Sequence, residues 1–169
     1  MKFRNLISQV GKPLSTSEAL INRPTKWIAE KFGVSRRTAQ RWKKGTQQPS
    51  PRVGGPDTVI KDSTNADTRK AVAANAIRNA QAAHVGRVSV VDKSPRGNGP
   101  KPGKNFRNLK VVNFSERERE QMSRAADALE RGDTEQAERL MNDAIMGAYG
   151  GGADSALSIE DWPPGFHLI

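Results

Sequence analysis

Within the run WIAEKFGVSRRTAQRW, Trp27 to Trp42, four side chains have the chemistry to read bases and hold phosphates. Arg36, Arg37, Gln40 and Arg41 are spaced one and four residues apart, which places them together on one side of a helix. A guanidinium donates two parallel hydrogen bonds to the acceptor edge of guanine, and a carboxamide pairs in the same two-point manner with adenine. Ser35 stands at the start of that helix and Thr38 in its first turn. Lys43, Lys44, Thr46 and Gln47 follow, where a phosphate-contacting loop would lie. The candidate DNA-binding residues are therefore Ser35, Arg36, Arg37, Thr38, Gln40, Arg41, Lys43, Lys44, Thr46 and Gln47.

Such side chains are useful only if a rigid element presents them. Two crossing helices need a small residue at the crossing, and Ala29 supplies it. The turn between them needs a residue free to take positive φ, and Gly33 stands four positions on. The second helix needs apolar anchors onto the first; Val34, Ala39 and Trp42 have that spacing. This combination resembles the large class of bacterial and phage helix-turn-helix proteins, and the resemblance implies that the second helix enters the major groove of double-stranded DNA.

The charge distribution points the same way. Residues 1–52 carry 12 Lys/Arg against 2 Asp/Glu, residues 53–110 carry 11 against 4, and residues 111–169 carry 5 against 12. A basic front suits a polyanion, whereas an acidic rear suits a protein partner. The chain has no Cys and two His, His84 and His167, in 169 residues. Disulfide frameworks, thiolate metal sites and cysteine nucleophiles are thereby excluded. The two histidines are far apart in sequence and sit in no acidic or metal-ligand cluster, so both read as structural or surface residues. No nucleophile, base and oxyanion partner assemble, so no catalytic residue, metal or cofactor is expected and the chain does not read as an enzyme. No apolar run approaches the roughly 18 residues that span a bilayer. A cytoplasmic, nucleoid-associated protein is expected.

The supporting elements follow from caps and breakers. Residues 1–52 read as a helix-turn-helix domain. In it Ser15 and Glu18 form a capping box, Pro24 and Thr25 open a second helix, and Ser35 caps a third that Gly45 ends. Residues 53–66 have no useful period and read as a linker. Residues 67–110 read as a basic Ala-rich helix from Asp67 to about Ala83, a short strand over Arg87–Asp92, and a basic Gly/Pro-rich loop over 93–105. That loop is either a DNA-contacting arm or a plain linker, and the helix lies along DNA or packs on a neighbour. Residues 111–169 read as an acidic α+β interaction domain. A strand over Leu109–Phe114 leads into it. A capping box at Ser115 and Glu118 opens one helix, Thr134 caps the next, and short strands lie around Trp162-Pro163-Pro164-Gly165. The expected fold class is mainly α with a small α+β C-terminal part.

Taken in order, FGVSRRTAQRWKKGTQQPS (32–50), GRVSVVD (86–92), FRNLKVV (106–112), the helix leading into MGAYGGGADSALSIED (146–161) and the closing FHLI resemble the telomere terminal proteins of linear actinobacterial replicons. That resemblance covers about 140 residues by pattern. It implies a replication factor in which a side-chain hydroxyl is joined to a DNA 5′ end, with residues 111–169 meeting a replication protein. In this chain KPGKN, just before FRNLKVV, contains no hydroxyl residue. The nearest are Ser89, Ser94 and Ser115, with Tyr149 farther off, and no acceptor is assigned. The other reading of the same residues is a plasmid or phage transcriptional regulator, a repressor that forms a homodimer through residues 111–169.

Overall fold

The computed structural model describes residues 2–92, 105–150 and 157–169. In chain order the helices are α1 (Phe3–Val10), α2 (Thr16–Ala19), α3 (Thr25–Phe32), α4 (Arg36–Lys43), α5 (Gly55–Ser63), α6 (Ala66–Asn79), α7 (Glu116–Arg131) and α8 (Thr134–Gly150). The strands are β1 (Ala82–Asp92), β2 (Asn105–Asn113), β3 (Leu157–Asp161) and β4 (His167–Leu168). The chain is thus mostly helical, with a small antiparallel sheet in its C-terminal half. It divides into one unit of Gly11–Ala73 and another of Met1–Val10 with Ala74–Ile169.

In the unit Gly11–Ala73 the caps set the helix boundaries. Ser15 Oγ accepts from Glu18 N, and the Glu18 carboxylate accepts in return from Ser15 N at 3.1 Å, closing the capping box that opens α2. Gly33 ends α3 at φ 63°, and Val34 N reaches back to Ala29 O. Ser35 then caps α4 by accepting from Thr38 N at 3.1 Å. Gly45 (φ 72°) and Thr46 close the far end, donating to Trp42 O and Arg41 O, which satisfies carbonyls that the helix leaves open. Leu20, Ile28, Ala29, Ala39, Trp42 and Val59 form the core, with Trp27, Phe32, Val34 and Val53 packed around it. The Phe32 ring stands between Trp27 and Trp42, 6.2 and 6.0 Å away edge-on.

Residues 53–66 are not a linker. A 3₁₀ turn over Pro51–Val53 leads into α5, whose Pro56 and Asp57 suit a helical first turn. Val59 is its one core residue in Gly11–Ala73 that is fully buried and apolar, which is why the segment shows no period. Thr64 Oγ1 donates to Ile60 O to finish α5, and Asn65 Oδ1 accepts from Thr68 N to begin α6.

In the second unit, β1 is the middle of a sheet ordered β2-β1-β3, and β4 also pairs with β1. All of these pairings are antiparallel. Helices α7 and α8 are joined at Gly132 (φ 91°) and bury Met122, Ala125, Ala126 and Leu129 from one helix and Ala137, Leu140, Met141, Ala144 and Ile145 from the other. Asp133 Oδ1, not Thr134, accepts the N-terminal bond of α8 from Gln136 N. Buried Asn142 ties α8 to the sheet by accepting from Ile159 N at 2.6 Å, and Trp162 Nε1 donates to Glu138 Oε1 at 3.0 Å.

Three expected boundaries move. Helix α6 ends at Asn79, and the strand starts at Ala82 rather than Arg87. Ala82 exchanges backbone hydrogen bonds with Ile169, a pairing that outweighs the helix preference of its alanines. Residues 82–110 are not separate from 111–169, because β1 and β2 share one sheet with β3 and β4. The first ten residues fall outside the expected 1–52 domain: Phe3 and Leu6 of α1 are buried, with Phe3 against Trp162, which in turn meets Phe166.

Candidate nucleic-acid interface

Helix α4 has two unlike faces. Ala39 and Trp42 are buried against α3, where the small side chain of Ala29 leaves room for close approach. The remaining positions Arg36, Arg37, Gln40 and Arg41, with Lys44 after the last turn, are all exposed. The outward face therefore holds three guanidinium groups, a carboxamide and an ammonium group, and no acid. The helix cannot roll about its axis without withdrawing Trp42, which is 2% exposed, from the core.

The other sequence-selected residues divide. Ser35, Thr46 and Gln47 are exposed, but the first two are also used in capping: Ser35 Oγ bonds Thr38 N and lies 3.0 Å from Thr38 Oγ1, and Thr46 Oγ1 donates to Arg41 O. Thr38 is half-buried. Lys43 departs from expectation. It is half-buried and its ammonium donates to Arg23 O at 2.9 Å, so it fastens the end of α4 to the segment before α3 instead of standing in a phosphate-contacting loop.

Arg23 is a residue that spacing did not single out. Its guanidinium lies 4.4 Å from the Trp27 ring centroid, and both Nε and Nη2 donate to Ser63 O, at 3.2 and 2.8 Å. It thus clamps the end of α5 against the start of α3. A partner 40 residues away leaves no local signal. The unit Gly11–Ala73 carries 13 Lys/Arg and 5 Asp/Glu, a net +8 of the chain's +10. The cationic face of α4 thus stands in a positive field.

In the other unit the hydroxyl candidates differ sharply. Ser89 is buried in the middle strand, and Ser115 gives both its N–H and its hydroxyl to the Glu118 carboxylate. Tyr149 is 45% exposed near the end of α8, while Ser94 lies outside the described residues. The two histidines, distant in sequence, come together: His84 on β1 pairs with His167 on β4, and their rings stack 4.9 Å apart. Among the described residues, no group of three or more His, Cys, Asp or Glu could hold a metal ion, and no helix is long and apolar enough to cross a membrane. Arg78 joins α6 to α7 by bridging Asp127 and Glu130 at 2.8 and 3.0 Å. The hydrogen bonds that its guanidinium donates to Glu130, then to Asp127, raise its pKa above the ordinary arginine value.

No family model matches the chain, and no curated protein or solved structure matches it either.

Proposed function

We propose that the chain binds double-stranded DNA, with α3 and α4 acting as a helix-turn-helix and α4 lying in the major groove. The observation that supports this most is the outer face of α4: Arg36, Arg37, Gln40, Arg41 and Lys44 point to solvent from a helix whose opposite side is locked by Ala39 and Trp42. Rigid mounting is what direct readout requires, because a bidentate Arg–guanine or Gln–adenine contact tolerates little displacement. The Arg and Lys side chains would also neutralise phosphates, so that most of the affinity would vanish as salt rises. The test is binding to a selected duplex and to scrambled duplexes. Arg37→Ala or Gln40→Ala should each cost about 1–3 kcal/mol and relax base preference at one position. If either substitution lowers affinity equally on every sequence, direct readout by that side chain is wrong.

For the biological role we infer a terminal-protein-like replication factor of a linear replicon, its acidic C-terminal part meeting a replication protein. The ordered resemblance over residues 32–169 supports it. A second reading, a dimerising repressor, is favoured by a specific observation: KPGKN has no hydroxyl, Ser89 is buried and Ser115 is tied to Glu118. Host DNA prepared in strong detergent without protease separates them. A nuclease-released protein–nucleotide adduct supports the terminal protein, and mass mapping would test Tyr149 first. Absence of an adduct, with binding to half-sites about one helical turn apart, supports the repressor.

A further inference from the structure

β2 stands at one end of the sheet order β2-β1-β3, with β1 as its one strand neighbour among the described residues. The outer side of an edge strand presents unpaired N–H and C=O groups, a template for another strand. The phase of the hydrogen bonds shows which residues present them here. Phe114 N donates to Gln81 O at 2.9 Å, while Ala82 turns both of its backbone groups to Ile169 on the other side of β1. Antiparallel pairs alternate between bonded and non-bonded. Asn113, opposite Ala82, and Val111, opposite His84, therefore point their N–H and C=O groups away from β1. Among the described residues nothing hydrogen-bonds to those outward groups.

The side chains say what fits this edge. Val111 is apolar and β-branched, yet 53% exposed. Residues directly opposite share a face, so Val111 stands in one row with His84 and His167, whose rings stack. Within residues 108–113 Lys110 is the single charged side chain. That charge selects a register for a second copy of the strand. If two antiparallel β2 strands met with Lys110 on the two-fold axis, the two ammonium groups would lie directly opposite each other, which is destabilising. With Val111 on the axis, valine meets valine, Lys110 lies opposite Val112, and Asn113 lies opposite Leu109. The free N–H and C=O of each Val111 are then the groups exchanged across the axis.

We propose that two copies of the chain pair through β2, antiparallel about Val111, so that one sheet continues across both. The pairing removes Val111 from water against its own copy and satisfies the outward backbone groups of both strands. A contact of one short strand edge is smaller than the roughly 800 Å² per partner of a standard interface, so the dimer dissociates on dilution. The pairing itself stands on the sheet. Its use, two α4 helices offered to two half-sites, rests on the reading of the chain as a dimerising repressor.

The experiment is sedimentation of the full chain without DNA over a concentration series. The parent should show a monomer–dimer equilibrium. Val111→Lys places like charges on the axis and should raise the dimer dissociation constant by about tenfold or more. Val111→Pro removes the outward N–H but no bond to β1, and should do the same. The chain has no cysteine, so Val111→Cys supplies a lone thiol whose partner across the axis is its own copy. A bonded pair spaces Cα atoms about 5.5 Å apart, within disulfide reach, so this variant should crosslink in a glutathione redox buffer. Asn108→Cys, about 20 Å from its copy in this register, should not. Melting curves of Val111→Lys and Val111→Cys should match the parent, and these two serve if Val111→Pro does not fold. A parent that stays monomeric throughout overturns the proposal. So does a dimer that the Val111 substitutions leave intact, or crosslinking of Asn108→Cys as fast as that of Val111→Cys. A dimer that behaves as described but binds single and paired half-sites alike supports the pairing and sinks the repressor reading.

Discussion

Arg37 and Trp42 lie on opposite sides of the same short helix, so substituting them separates recognition from folding. Trp42→Ala removes a 2%-exposed indole that meets Phe32 and closes the core of Gly11–Ala73. It should destabilise the chain by about 3–5 kcal/mol, visible as a lowered melting temperature. A normal melting curve would contradict the packing described for α4. Arg37→Ala removes no core contact and should leave the melt unchanged while weakening DNA binding. Which side of α4 is buried was legible in the sequence, because helical spacing alone sorts Ala39 and Trp42 from Arg36, Arg37, Gln40 and Arg41. It did not reveal that Lys43 donates to Arg23 O, since nothing near Lys43 in sequence marks that carbonyl as its partner.

The elements owe their ends to single residues, and these carry their own predictions. Ser35→Ala removes the side-chain acceptor for Thr38 N and should cost about 1 kcal/mol of stability. Gly86→Ala must adopt φ 80° in β1 and should cost about 1–2 kcal/mol; a neutral effect in a denaturant titration would contradict a left-handed backbone at this position. Elements with strong caps and regular apolar spacing were legible in advance. Ser35 and Gly45 framed α4, and Ser115, Glu118 and Gly132 framed α7. Two helices escaped for the opposite reason. α5 has one fully buried apolar anchor, Val59, and α1 buries Phe3 against Trp162, nearly the whole chain away. The start of β1 was hidden because Ala82 and Ala83 continue an Ala-rich run. Their pairing with β2 and with the C-terminal residues Leu168 and Ile169 makes them strand.

At the scale of the whole molecule, the positive charge gathers in two stretches of the sequence, Gly11–Ala73 and residues 82–113, while α7 and α8 are rich in acids. The sequence disclosed the basic front and acidic rear, but not that the hairpin belongs to the acidic unit, which is fixed by strand pairing between distant segments. The stacking of His84 on His167 follows from that same pairing and has no local signature. The central claim is that α4 reads DNA. It is tested most directly by measuring binding of the full chain to a selected duplex and to scrambled duplexes across a salt series, with and without Arg36→Ala, Arg37→Ala and Arg41→Ala together. The prediction is strong salt dependence in the parent chain, with sequence preference abolished and the slope reduced by up to about 2.7 in the variant. Identical sequence preference and slope in parent and variant would contradict it.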